Sequence, residues 1–271
     1  MKKYKTFWTI VVILIVVLFL VQQSSACTIF YVQGESTHYF ASNEDWSLTN
    51  PIMQVVPGQN EKYGYIVFGW DSHLPQYPQG GVNEHGLCLD WAALPPEIFK
   101  ANPSRKQLNR DIFYEILENC KNVTQASSLV KQYNWSQFAQ EHLLVADSQG
   151  NSCVIEWRDG EYLVLTKEKS YQVVTNFWLS NSGQGWYPCN RFDTVDGYLK
   201  NPSNSKPDLA TIRNLLNQSH QEGQYQTIYS YIVDVKSLDI YIYYRHNYLK
   251  EIKCNLKQEI AKGARRIKLY Q

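Results

Sequence analysis

The six cysteines, Cys27, Cys88, Cys120, Cys153, Cys189 and Cys254, include no C-x-x-C pair, which removes support for zinc-ribbon and thioredoxin-like readings. There is no run of basic residues either, so nucleic acid is not an expected partner. Internal repeats, long linkers and low-complexity tracts are also lacking, and this speaks for one globular domain. The six histidines are dispersed, and His85 with Cys88 is the single close Cys/His pair. One such pair cannot complete a metal site. No metal is therefore expected.

The one long apolar run is at the start. Three lysines lie within Met1–Lys5, Phe7–Val21 is almost unbroken in apolar character, and Ser24-Ser25-Ala26 ends in small residues. This pattern reads as a cleaved signal peptide, 1–26, rather than a membrane span. The expected product is a secreted or extracytoplasmic domain, Cys27–Gln271, with no stable membrane association after cleavage. It retains 23 basic and 25 acidic residues, a near-neutral balance.

After Cys27, the stretches CTIFYV and HYFASNEDW flank GEST, a pattern that predicts an N-terminal hairpin. Further β-prone runs at Ile52–Val56, Tyr63–Trp70, Gly86–Trp91, Leu143–Asp147, Cys153–Trp157, Tyr162–Thr166 and Tyr171–Thr175 mostly fall in pairs, as in antiparallel meanders. Helical spacing marks Ser104–Cys120, Thr124–Tyr133, Asn190–Lys200 and Asp208–Gln218, and the tail returns to strands at Gln226–Val233 and Ser237–Tyr244. Sheets covered by helices, an α+β layered domain, are the expectation.

Cleavage before Cys27 gives its thiol an unusual neighbour. The new α-amine has an ordinary pKa of about 7.7–8.0, just below that of a thiol at about 8.5, so the amine serves as the base within the same residue. The site also needs an acid to hold the amine, a donor for the tetrahedral oxyanion, and a positive field. Asp45, on the returning strand of the hairpin, is placed to reach the N-terminus.

Five blocks occur in order: Cys27-Thr28, Asn43-Glu44-Asp45, Gly81–Leu87 (GVNEHGL), Val174-Thr175-Asn176 and Cys189-Asn190-Arg191-Phe192. Together they resemble the N-terminal-nucleophile (Ntn) hydrolases of linear amides. This is the choloylglycine hydrolase and penicillin V acylase group, with relatives around acyl-CoA:6-aminopenicillanate acyltransferase and acid ceramidase. The resemblance implies a four-layer αββα sandwich with two antiparallel sheets. It also implies that Cys27 is the nucleophile, that Asp45 binds its amine, that Asn176 donates to the oxyanion, and that Arg191 supplies positive charge. The substrate class it implies is a small-molecule acyl amide, cleaved through an acyl thioester without a cofactor, and acyl transfer by the same nucleophile stays open. Two positions depart from the bile salt hydrolase pattern: Ser42 stands where an arginine is common, and Ala93 where an asparagine is usual. Trp91, Phe177 and Trp178, with Tyr77 and Trp186, are candidate lining of an acyl pocket.

The competing reading of Cys27 is lipidation, giving a membrane-tethered ligand-binding lipoprotein. Against it stand Ser24 at the −3 position and the β-prone run that begins at once after Cys27, where a lipoprotein carries a polar tether. A third reading, a signal anchor that is never cut, leaves no free α-amine.

Overall fold

The computed structural model describes residues 27–34, 36–183, 186–204 and 206–270; the expected signal segment, 1–26, lies outside them. The first strands are β1 (Thr28–Gln33), β2 (His38–Asp45), β3 (Pro51–Val56), β4 (Tyr65–Trp70), β5 (Gly80–Asn83) and β6 (Cys88–Ala93). A two-residue strand β7 (Lys106–Gln107) and the helices α1 (Ile112–Asn119) and α2 (Val123–Val130) follow, then β8 (Tyr133–Asn134). Next come β9 (Glu141–Ala146), β10 (Ser152–Arg158), β11 (Glu161–Thr166) and β12 (Tyr171–Val174), before the helices α3 (Asn190–Leu199) and α4 (Leu209–Gln218). The chain closes through β13 (Thr227–Asp234), β14 (Asp239–Tyr244), β15 (Glu251–Asn255), the short helix α5 (Leu256–Ala261) and β16 (Arg265–Lys268).

Two antiparallel sheets result, one of six strands in the order β12-β1-β2-β13-β14-β15 and one of eight in the order β11-β10-β9-β6-β5-β4-β3-β16. Side-chain alternation along the strands assigns the layers. Ile29 and Tyr31 of β1 enter the core between the sheets with Phe68, Val82 and Ala146, whereas Phe30 and Val32 point outward against Ile212, Leu215 and Leu216 of α4. On the other sheet Leu144 and Ala146 face inward, while Leu143 and Val145 pack beneath Ile116 and Leu117 of α1 and Ala126 of α2. The architecture is a four-layer αββα sandwich. Its central strands are buried on both faces, so they read as nearly continuous apolar runs, each fully buried Leu, Ile or Phe contributing about 1.5–3 kcal/mol.

Helix starts follow local chemistry. Asp111 accepts from the Phe113 N–H (2.9 Å), Asn122 from Gln125 (2.9 Å) and Asp208 from Thr211 (2.8 Å), each satisfying an amide with no partner inside its helix. The predicted helix over Ser104–Cys120 is shortened to Ile112–Asn119, because Asp111 caps it there and Lys106–Gln107 pair instead with Tyr133–Asn134. The predicted strand Gly86–Trp91 begins at Cys88, and β5, β15, α5 and β16 carry no pattern that set them apart in the sequence. Among the described residues no helix is long and apolar enough to cross a membrane. All six cysteines are free thiols.

Candidate active site

Strand register places the site. Thr28 of β1 pairs with Asn43 of β2, so one step outward Cys27 faces Glu44, on the side that enters the space between the sheets. The Cys27 thiol donates to Glu44 Oε2 at 3.6 Å, and Ser42 Oγ, two residues back on the same face of β2, donates to Glu44 Oε1 at 2.6 Å. From the opposite sheet Asp90 of β6 reaches Glu44, and the Tyr231 hydroxyl of β13 donates to Asp90 Oδ2. Cys27, Ser42, Glu44 and Asp90 are all buried.

Carboxyls dominate the electrostatics. Burial pushes Asp90 well above the carboxylate range, and neighbouring Glu44 raises it further, so Asp90 keeps its proton and shares it with Glu44. Burial also raises Glu44, against the hydrogen bonds from Asp90, Ser42 and Cys27 that favour its ionised form. The Cys27 thiol is raised by burial first, then by Glu44, Asp45 and Asp90. With its nitrogen in a peptide bond, Cys27 is held as a neutral thiol.

Asp45 ends β2 and accepts from Gln221 Nε2 (2.8 Å) and from the Thr227 hydroxyl. Burial pushes its carboxyl up to about 8, with Arg191, Thr227 and Gln221 opposing. Arg191, in the first turn of α3, forks across the start of β1. One guanidinium nitrogen donates to the Cys27 carbonyl (2.6 Å) and to Thr28 Oγ1 (2.9 Å), and the other donates to Asn176 Oδ1 (2.8 Å). Arg191 also stands 3.6 Å from Asp45 Oδ2. Asn176 in turn donates from Nδ2 to the Ala93 carbonyl (2.9 Å). One cation thus ties together three segments that are far apart in sequence.

Behind Asn176 lies a buried support. His142 places Nε2 2.7 Å from the Thr175 carbonyl and Nδ1 3.1 Å from Glu156 Oε1, and Glu156 also accepts from the Leu179 and Ser180 amides. Three features had no signal separating them from packed strand residues or solvated charges: the His142–Glu156 pair, the Glu44–Asp90 pair, and the Gln221–Thr227 clasp on Asp45. Only the cross-strand and cross-sheet pairing exposes them.

Cys27 lines a cavity of about 640 Å³ whose wall includes Trp46, Trp70, Tyr77, Trp91, Trp186 and Tyr225, a size and lining suited to a small organic ligand. Ala93, the carbonyl partner of Asn176, lines it as well. Trp91 is among the lining residues, while its ring packs against Phe138, centroids 4.8 Å apart. Two expected lining residues lie elsewhere. Phe177 is buried between Tyr187 and Phe192 (5.0 Å to each), and Trp178 is covered by the Arg158 guanidinium at 5.7 Å. Both follow Asn176 directly, and the chain there turns away from Cys27 toward α3 and β10.

The two facing sheets with a cysteine at the start of an inner strand define the αββα class of Ntn hydrolases. Within that class the chain belongs to the acyl-coenzyme A:6-aminopenicillanic acid acyl-transferase family, whose model matches residues 32–248. It is 28% identical over 158 residues to a penicillin V acylase of Pectobacterium atrosepticum, an overlap covering 46% of this chain and 42% of that protein. The chain thus matches about two-fifths of the length of that curated relative. Two solved structures share its fold, each at a TM-score of 0.68 and covering 90% of this chain. One is a mutant of the conjugated bile acid hydrolase from Clostridium perfringens (16% identical, 97% of that chain), and the other is the penicillin V acylase from Agrobacterium tumefaciens (15%, 90% of that chain).

Proposed function

We propose that the protein is an exported amidohydrolase that cleaves a linear acyl amide through a thioester on Cys27, once removal of 1–26 has freed the Cys27 amine. The carrying observation is positional. The Asp45 backbone reaches the Cys27 sulfur, and Arg191 bonds the Cys27 carbonyl while standing 3.6 Å from Asp45 Oδ2, so cutting the bond before Cys27 would create an ammonium close to a buried carboxyl. The new charge offsets the carboxyls that hold the thiol protonated. Burial of Cys27 at 2% exposure disfavours lipidation, because an acylated sulfur would have to leave the interior.

In the reaction the α-amine accepts the thiol proton and Sγ attacks the amide carbonyl carbon. Asn176, anchored by Arg191, donates to the oxyanion. Collapse breaks the C–N bond, the ammonium returns the proton to the leaving amine, and water then hydrolyses the thioester with the amine again acting as base. An amine in place of water gives acyl transfer. The relatives named for penicillin V and bile acids support amide cleavage, while Ser42 and Ala93 separate this site from the bile salt pattern.

Cys27→Ala should abolish turnover of acyl amides while the melting temperature stays near that of the parent, and intact mass should show a chain beginning at an unmodified Cys27. Retained turnover, or a diacylglyceryl mass on Cys27, would sink the proposal.

A further inference from the structure

The fold brings together three side chains that the sequence left dispersed. His220 and Glu222 lie in the segment after α4, and His246 lies in the turn joining β14 to β15; one ligand atom from each falls within 4.8 Å of the others. His220 Nε2 stands 3.6 Å from Glu222 Oε1, and the two imidazole rings are 4.4 Å apart.

Both rings are oriented from behind. His220 Nδ1 bonds the Asn217 carbonyl, and the His246 ring donates to the backbone of Thr227, leaving His246 Nε2 buried with no hydrogen-bond partner. A ring nitrogen donating to a backbone carbonyl fixes the tautomer that presents the other nitrogen as a metal ligand. The turn itself is costly: Arg245 and His246 occupy consecutive left-handed positions, φ 46° and 58°, closed by the Asn247 N–H on the Tyr244 carbonyl at 3.1 Å. Glycine and asparagine are the usual residues in such a turn, and His246 stands there with a ring nitrogen within 4.8 Å of the ligand atoms of His220 and Glu222.

We propose that His220, Glu222 and His246 form a zinc-class divalent metal site, with water completing a tetrahedron. Two imidazoles and one carboxylate suit a borderline ion. Bonds of about 2.0–2.1 Å set donor atoms roughly 3.3 Å apart, so side-chain rotation from the present spacing closes the site. The exposed Glu222 is free to make that move. The site is also joined to the catalytic side of the molecule. Gln221, between two of the ligands, and Thr227, which holds His246, are the residues that clasp Asp45. A bound ion ties the 220–227 segment to the 245–247 turn and so braces that clasp.

Zinc chloride titrated calorimetrically into the cleaved Cys27→Ala protein tests this, since that background removes the N-terminal thiol as a competing chelator. The expected result is one ion per chain, with cobalt(II) in its place giving the visible bands of a tetrahedral N/O site. His246→Gln and Glu222→Gln should each weaken binding at least tenfold. Zinc should raise the melting temperature of the parent and not that of His246→Gln, read against each protein's own metal-free melt. No binding in the parent overturns the site, as does binding as tight as the parent's in His246→Gln or in a His220→Gln/His246→Gln double variant. None of these readouts depends on amide turnover, so the metal site and the hydrolase reading fail separately.

Discussion

At the scale of single residues, Glu44 is the group that most sets this cysteine apart. It accepts from the thiol and from Ser42, and it shares the proton of Asp90. Its negative charge is the largest electrostatic influence, after burial itself, holding the thiol pKa up. Glu44→Gln keeps the shape and an acceptor for Ser42 while removing that charge, so in the cleaved protein the midpoint of Cys27 alkylation against pH should move down. An unmoved midpoint would remove Glu44 from the environment of the thiol. The sequence named Glu44 only as the middle letter of Asn43-Glu44-Asp45. It gave Asp45 a role because a hairpin brings the end of its second strand back to the start of its first. The depth of Glu44 depends on which face of β2 is covered, and that is set by the second sheet, which no local pattern announces.

At the scale of elements, the crossing of β5, β6 and β13 shows how the sheets meet under the site. Asp90 and Tyr231 come from opposite sheets and hydrogen-bond between them, and Gly80 of β5 leaves the room they need: a Cβ there would lie 2.1 Å from the Tyr231 hydroxyl oxygen and 2.8 Å from Asp90 Oδ2. Both atoms belong to buried side chains held by their mutual bond, so they have little freedom to retreat. Gly80→Ala should cost about 1–3 kcal/mol by overpacking, read as a lowered urea midpoint, and should shift the Cys27 alkylation profile through Asp90 and Glu44. A stability equal to the parent's would show the crossing to be looser than drawn. The hairpin β1–β2, the strands β9 to β12 and the helices α3 and α4 were legible from alternation and helical spacing. The short β5 and β16 were not, because four residues carry too little periodicity to separate strand from loop. Arg191 and Asn176 were legible only as members of a motif order, and their contact arises where α3 and the end of β12 meet the start of β1.

At the scale of the whole molecule, the fold carries several buried carboxyls with few cations beside them, and this makes its stability depend on pH in a definite direction. Burial pushes Asp111 up to about 6, Glu141 up to about 7 and Asp45 up to about 8. An unfolded chain releases the same protons near pH 4. Between about pH 4 and those values the folded chain therefore holds more protons than the unfolded one, and its stability falls as pH rises through each folded pKa. Glu156, Asp208 and Asp239 are shifted down instead: burial opposes the shift at Glu156, where the His142 hydrogen bond leads the lowering, and hydrogen bonds from Thr211 and Asn255 lead at the other two. The stability linked to these three is lost only as pH falls below the ordinary carboxylate range. A chain with one residue left before Cys27 should accordingly melt at a higher temperature at pH 5 than at pH 8. If the chain begins at Cys27 and its α-ammonium faces Asp45 as proposed, that charge draws the Asp45 pKa down, so the decline between pH 6 and pH 8 should be shallower, with Asp111 and Glu141 carrying what remains. Parallel melting profiles for the two forms would mean that Asp45 does not meet the amine, and the proposed pairing at the heart of the site would be wrong.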